Sequence, residues 1–471
     1  MTESKASTEL NNSIWRDIKD SLAGTERDFT QGSIPRAILV LSIPMVLEML
    51  MESVFAVVDI FFVSKLGAQA VATVGITESL LTIIYAVAIG LAMGTTAIVS
   101  RRIGEKDHAS ANQAAVQAIV ISFIVSLPVA LLGLFFSDSL LALMGAEASI
   151  VNEYSGYTRI LLATNIVIML LFVVNAVFRG AGDAAISMRV LWLANGINIV
   201  LDPLLIFGIG FFPELGIKGA AVATVIGRSA GVLLQFYYLF RPNHRIRITR
   251  KDLVVQWDVI VKLIRISLGG IGQFIIATSS WIGLVRIMAE FGSVALAGYT
   301  IAIRVLIFSI LPAWGFSNAA ATLVGQNLGA GKPDRAERST WISAMVNVCF
   351  LVFVGIAFYV FAEPIITFFT AEPEIVAIGA KSLRIICYGY LAYGFGMVII
   401  QAFNGAGDTL TPTLINFVCF WLIEIPVAYG LAIILKWEIE GVLYSIVIAE
   451  SLLGLFAIIL FRMGKWKTSK V

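Results

Sequence analysis

The chain has 471 residues, of which 59% are hydrophobic and only 14% charged, and a mean hydropathy of +0.91, too apolar to clothe a soluble surface. Thirty-three basic residues against thirty-one acidic ones leave a net charge of +2, which points to neither nucleic-acid binding nor an acidic tail. At roughly 20 to 25 residues per membrane-crossing helix there is room for about a dozen spans and for no large soluble catalytic domain.

The first 36 residues are polar and lack an apolar cleavable core, so no signal peptide is expected. Trp15, Ile18 and Leu22 have helical spacing within them, as a short interfacial helix would. Twelve apolar runs follow: 37–64, 71–99, 113–136, 153–178, 186–211, 217–240, 260–289, 294–324, 340–362, 376–403, 410–435 and 440–462. They are continuously apolar, whereas barrel strands alternate over about ten residues, so all twelve are predicted to be transmembrane helices.

Lys and Arg gather in alternate connections. One set is Arg16, Lys19, Arg27 and Arg36; others are Arg101, Arg102 and Lys106, then Lys332, Arg335 and Arg338, then Arg462, Lys465, Lys467 and Lys470. The segment 241–251, RPNHRIRITRK, belongs with them as a topogenic linker. The intervening connections offer only Lys65, Lys218 and Lys436. The positive-inside rule then puts both termini in the cytoplasm.

An internal repeat is visible. FRGAGD at Phe178–Asp183 returns as FNGAGD at Phe403–Asp408, 225 residues on, and the same shift relates Gly67 to Gly292, Gly104 to Gly329 and Arg159 to Arg384. Later the shift shortens to 222 residues, pairing Gly219 with Gly441 and Arg228 with Glu450. Six helices per half is an even number, so the halves are parallel repeats around an axis along the membrane normal, with a central cavity suited to alternating access. The expected organisation is an N-terminal segment 1–36, a first lobe 37–240, a basic linker 241–259, a second lobe 260–463 and a tail 464–471.

LGAGKP at Leu328–Pro333 has a phosphate-loop flavour, but the upstream glycine is missing and Pro333 replaces Ser or Thr, so no ATP site is read. Cys349, Cys387 and Cys419 show no metal or disulfide spacing, and His108 and His244 lie in polar connections. No nucleophile, base and oxyanion set is visible, so the chain is read as no enzyme. Uphill work would draw on an ion gradient, which directs attention to carboxylates inside the membrane.

The first run carries Glu48, Glu52 and Asp59 on one helical face. Asp59 lies eight residues before Gly67, about 12 Å below the outer end. In the fifth run Asn198 and Asp202 are one turn apart, with Asp202 nine residues before Phe211 at the expected outer end; Thr224 reaches a similar depth in the sixth. Two carboxylates, an amide and a hydroxyl at one depth suit a desolvated H⁺ or Na⁺ site, because oxygen ligands replace water around a hard cation. Two close carboxylates cannot easily both stay charged there, so one is expected to hold and exchange a proton. Both ions remain open. Pro44 removes a helical hydrogen bond and permits a bend in the first helix. Glu424, beside Pro426, nearly repeats the place of Asp202 beside Pro203 and is the second-half candidate for cation or substrate contact. Gln273 and Leu284 stand where a repeat of Glu48 and Asp59 would fall, so coupling is expected to concentrate in the first half.

These motifs resemble the multidrug and toxic compound extrusion (MATE) family over about residues 34–463. The resemblance rests on VVDIFFVSKLG at Val57–Gly67, SRRIGEKD at Ser100–Asp107, the FRGAGD and FNGAGD echo, NIVLDP at Asn198–Pro203 and VGQNLGAGKP at Val324–Pro333. It implies two six-helix bundles in a V, and export of organic cations in exchange for Na⁺ or H⁺, with no other cofactor. By position, Asp59, Asn198, Asp202 and Thr224 look like the first-lobe cation site of the archaeal and DinF-like branch, and Pro44 like its bending proline. Glu52 and Phe55 stand where that branch often has glutamine and tyrosine. The resemblance thus implies a monomeric multi-pass exporter of drug-like molecules in the inner membrane, its substrate or proton path running past Glu48, Glu52, Phe55 and Glu424. A lipid-linked sugar flippase is the second reading; Arg159, Arg286, Arg304 and Arg384 would be its substrate contacts.

Overall fold

The structure, a computed structural model, describes residues 15–24, 27–242, 244–469 and 471; the first fourteen residues of the expected N-terminal segment lie outside the described residues. Twelve spans follow in order: α1 (Ile34–Ser64), α2 (Ala68–Gly104), α3 (His108–Leu143), α4 (Ala148–Ala181), α5 (Ala184–Phe207), α6 (Ile217–Phe240), α7 (Trp257–Ala289), α8 (Ser293–Gly329), α9 (Pro333–Val360), α10 (Pro373–Cys387 with Tyr390–Gly405), α11 (Leu410–Ile434) and α12 (Glu438–Arg462). Among the described residues ten are single helices long and apolar enough to cross a membrane, and α10 is an eleventh, bent by 59°. α1, with 31 residues, is about 46 Å long and completes the twelve.

The helices overrun the apolar runs. α2 reaches back to Ala68 and on to Gly104, past Arg101 and Arg102, because an ordered helix projects beyond the hydrocarbon while the apolar run marks only its submerged part. At the other extreme, α5 stops at Phe207, short of the expected Phe211, because Gly208 takes a left-handed conformation (φ 65°) that caps it. Asp202 is therefore five residues from its helix end, closer than the sequence implied.

The repeat is written in the backbone. Gly67 and Gly292, which precede α2 and α8, have φ of 101° and 90°, and Gly182 and Gly407 have 88° and 85°. Arg159 binds Asp138 at 3.0 Å and Arg384 binds Glu363 at 3.1 Å, so even an ion pair recurs at the 225-residue shift. α4 is interrupted at Thr164, the position equivalent to the bend of α10 at Gly389.

The lobes meet on the face that carries both termini. α1 packs against α5 in its own lobe and α8 in the other, and α2 packs against both α7 and α8. Gly104 at the end of α2 lies so close to α8 that a Cβ there would come 2.0 Å from the Gln326 carbonyl oxygen; its repeat partner Gly329 stands in the same relation to Arg101, at 2.1 Å. Only glycine permits both approaches. A small apolar seam of Leu41, Met45, Ala184, Ala319 and Leu323 closes the joint, and Thr322 Oγ1 and Gln326 Nε2 donate to the carbonyls of Arg179 and Gly180 at 3.1 and 2.9 Å. In their other halves the same helices expose Val54, Val57 and Phe61 on α1 and Ile307 and Phe308 on α8. The lobes thus close at the terminal face and open away from it.

Both termini bind across that joint. Leu22 offers its carbonyl to Arg189 of the first lobe and Arg27 to Arg245 of the linker, while Thr30, Gln31 and Gly32 offer theirs to Lys332 and Arg335 of the second lobe. Residues 15–23 are helical, and Asp17 pairs with Arg27 and Arg36. Burial works against the charge of Asp17, but those two guanidiniums outweigh it and hold the carboxyl below its ordinary 3.8. At the other end Lys467 pairs with Glu337 at 2.6 Å, and Arg101 and Arg102 reach the carbonyls of Ser469 and Val471.

Candidate functional site

Three of the four first-lobe candidates are joined directly. Asn198 and Asp202 are one turn apart on α5, and the Asn198 Nδ2 donates to Asp202 Oδ1 at 3.3 Å and to Thr224 Oγ1 of α6 at 3.0 Å. Asp202 is fully buried and Asn198 nearly so. Among the described residues Asp202 Oδ2 and Asn198 Oδ1 have no hydrogen-bond donor, an arrangement that costs free energy unless a proton or a cation completes it. Asp59 of α1 is the electrostatic neighbour of Asp202, although no hydrogen bond links them. Close α5–α6 packing sets this geometry: a Cβ on Gly227 would lie 2.4 Å from the Ala194 carbonyl and 3.2 Å from Asn198.

The rest of the acidic stripe divides by depth. Glu48 is buried; its Oε1 accepts from Arg179 Nη1 at 2.8 Å and from Asn175 Nδ2 at 3.4 Å, while its Oε2 has no donor among the described residues. Glu52 accepts from Asn195 Nδ2 at 3.0 Å. The helix runs unbroken through Pro44, which is buried beside the seam.

The sequence left Arg228 unassigned; it lies at the centre of this lobe. It is 8% exposed, donates twice to Tyr85 Oη at 3.2 Å, and rests 5.7 Å from the centre of the Phe55 ring, a cation–π contact. Glu52 and Asp59 are its acidic neighbours. Asp59 also senses Glu78, which in turn senses Arg304 on α8 of the other lobe. The one signal that could have found Arg228 was its charge, opposite in sign to Glu450 at the equivalent position.

In the second lobe Glu424 is 4% exposed and accepts from Ser280 Oγ of α7 at 2.6 Å. It ends a stretch of π-helical turns, Phe417–Glu424, and a second, Gly430–Ile434, follows Pro426. Such wide turns are frequent at functional sites, and nothing in the apolar periodicity announces them. The counterpart α5 is regular. Glu424 is far from the first-lobe group in sequence and borders a separate cavity of about 430 Å³ shared with Glu450. Among the described residues no group of three or more His, Cys, Asp or Glu could hold a metal ion; Asn198, Asp202 and Thr224 with Asp59 offer oxygen atoms only, the donor type that hard cations and protons prefer.

The MatE family profile matches twice, at residues 44–204 and 271–430, one match in each half of the repeat. The probable multidrug resistance protein YoeA of Bacillus subtilis (strain 168) is 28% identical, with 93% of this chain and 96% of that protein covered. The probable multidrug resistance protein NorM of Thermotoga maritima is also 28% identical, with 93% and 94% covered. A solved multidrug resistance MATE family transporter of the MOP superfamily, in an outward-facing conformation, superposes with a TM-score of 0.89 at 26% identity over 94% of this chain and 99% of that one. The profile covers well over half of the chain, once in each lobe, and this chain therefore belongs to the MATE family.

Proposed function

We propose that the protein is a secondary active exporter of amphipathic, cationic small molecules, driven by H⁺ or Na⁺ bound in the first lobe. The observation that carries this reading is the pair of buried, donor-less oxygens on Asp202 and Asn198, set beside the Asp59 carboxylate and Thr224. Multidrug relatives that align over nearly the whole chain support the drug-export half of it.

In the cycle we propose, the outward-open protein takes up a cation at Asp59 and Asp202, and neutralising those charges changes how α1 packs against α5. Affinity for the drug falls, the drug leaves outward, and the ion is released inward. Each ligand shifts the equilibrium only by its differential affinity for the two states, so drug and ion oppose each other reciprocally. Pro44 is the position at which α1 would bend. Glu52, Phe55 and Arg228 would line the route between them, whereas Glu48 is more simply a clamp on Arg179. The basic residues gathered on the terminal face support a cytoplasmic position for both termini in a cytoplasmic membrane. We expect a monomer, working without ATP or any cofactor beyond the coupling ion.

The flippase reading is not favoured. Three of its four candidate arginines are bound to carboxylates: Arg159 to Asp138, Arg286 to Glu290 and Arg384 to Glu363. Replacing Asp59 or Asp202 by Asn and following ethidium efflux in cells tests the proposal. Loss of efflux at unchanged membrane abundance is the expected result; efflux equal to the parent protein would refute it.

A further inference from the structure

A groove of about 450 Å³ opens on the outside of the second lobe, near the terminal face. The end of α10, the first turns of α11 and the end of α12 enclose it, with apolar walls of Phe403, Leu414, Ile415, Phe456 and Leu460. Leu414 and Met463 on its rim are 56% and 57% exposed, so the groove runs into the apolar outer surface of the spans.

Its polar mouth holds one charge of each sign, Lys465 and Asp408. Lys465 is held in place by its neighbours in the tail. Gly464 turns the chain with a φ of 75°, and the fully buried Trp466 stacks on Phe461 at 4.4 Å, which pins the short helix Lys465–Thr468. Asp408 precedes α11 and accepts from the backbone N–H and the hydroxyl of Thr411 at 3.1 and 2.7 Å. Among the described residues neither charge has an ionic partner.

The equivalent face of the first lobe is covered. The 225-residue shift sets Asp183 opposite Asp408 and Arg189 opposite Leu414. There the N-terminal strap lies on the protein: Arg189 Nη2 donates to the Leu22 carbonyl at 2.7 Å, and a Cβ on Gly24 would sit 3.1 Å from Asp183 Oδ1 and 3.5 Å from the Ala185 Cβ. In the second lobe the same face is the open groove, with an exposed leucine in place of the arginine that holds the strap.

An apolar groove between spans, with a cation and an anion at its mouth, matches an amphiphile that combines an acyl chain, a phosphate and an N–H-bearing ammonium. A fatty acid would fill the walls and answer Lys465 but leave Asp408 unmatched. A choline headgroup would bring the charge without an N–H to donate. We propose that this groove is a binding site for a zwitterionic aminophospholipid of the leaflet beside the termini, its phosphate on Lys465, its ammonium on Asp408 and one acyl chain along Leu414 and Leu460. The site shares no residue with the first-lobe coupling group and does not depend on the export reading.

The test is a titration of the purified, delipidated full-length protein with phosphatidylethanolamine, phosphatidylcholine or phosphatidylglycerol of identical acyl chains, with bound lipid counted by native mass spectrometry. One phosphatidylethanolamine per protein should bind about tenfold more tightly than either other lipid, the margin expected of one charge-assisted hydrogen bond. Lys465→Gln should weaken phosphatidylethanolamine and phosphatidylglycerol alike. Asp408→Asn should weaken phosphatidylethanolamine about tenfold and leave phosphatidylglycerol unchanged, a pattern that a merely structural role would not produce. Leu414→Trp fills the groove with both charges intact and should abolish the tight site; it decides the matter if Asp408→Asn does not fold. Equal affinity for the three lipids, tighter binding of phosphatidylglycerol, or a tight site retained by Leu414→Trp would overturn the proposal.

Discussion

At one equivalent position, 222 residues apart, the first lobe places Arg228 and the second Glu450. The two halves share their positive-φ glycines and an ion pair, but differ in the buried charge at this position and in the π-helical turns that α11 has and α5 lacks. In the first lobe, Arg228 sits among Glu52, Asp59, Tyr85 and Phe55 and answers part of the acidic charge internally. In the second, Glu424 and Glu450 border a cavity of about 430 Å³ whose lining, among the described residues, includes no Lys, Arg or His. The duplicated scaffold thus carries different buried charges in its two halves, at this position and where Gln273 and Leu284 stand opposite Glu48 and Asp59.

The largest effect that would break this contrast is on transport. In Asp202→Asn the orphaned oxygen becomes part of a neutral amide, and gradient-driven efflux should fall by about tenfold or more, equivalent to roughly 1.4 kcal/mol of lost coupling. Dye efflux from proteoliposomes checks it. Next in size is stability. Arg228→Gln removes the buried cation nearest Glu52 and Asp59 and its two hydrogen bonds to Tyr85, a loss of about 1 to 3 kcal/mol. Glu450→Gln removes a charge with no internal partner and should be neutral or stabilising. Thermal unfolding in nanodiscs should therefore shift in opposite directions, or at least very unequally, for these two variants.

The joint between the lobes offers a smaller effect. Gly104→Ala drives a methyl group into the Gln326 carbonyl, and the overpacking should cost about 1 to 3 kcal/mol of the closed terminal face. Spin-label distances across that face should lengthen, and Gly329→Ala should do the same from the other lobe. The smallest effect is at the N-terminal strap. Because Asp17 has its folded-state affinity for protons lowered by Arg36 and Arg27, its contribution is complete above 3.8 and is lost as pH falls through the lowered folded value. Asp17→Asn at neutral pH should weaken the strap by up to about 1 kcal/mol, read as faster hydrogen exchange in residues 15–24.

The spans were legible because lipid demands long, unbroken apolar runs, and the repeat because duplicated turns keep their glycines at one spacing. Asn198, Asp202 and Thr224 were legible for a related reason: polar groups inside an apolar run are costly, and theirs fall at one depth on neighbouring helices. Their hydrogen bonds join them in space. What could not be read was set by tertiary contact. The end of α5 depended on the left-handed turn at Gly208, the π-helical turns of α11 on its packing, and the roles of Arg228 and Glu450 on which helices face them. The clasp of both termini over the joint is made almost wholly of side chains donating to backbone carbonyls, a bond type that leaves little trace in residue identity.

The most direct test of first-lobe coupling is export by proteoliposomes under separately imposed proton and sodium gradients, comparing the parent protein with Asp59→Asn and Asp202→Asn. The account predicts that at least one gradient drives substrate movement in the parent and that neither does so in the two variants. Full gradient-driven export in both variants would contradict it.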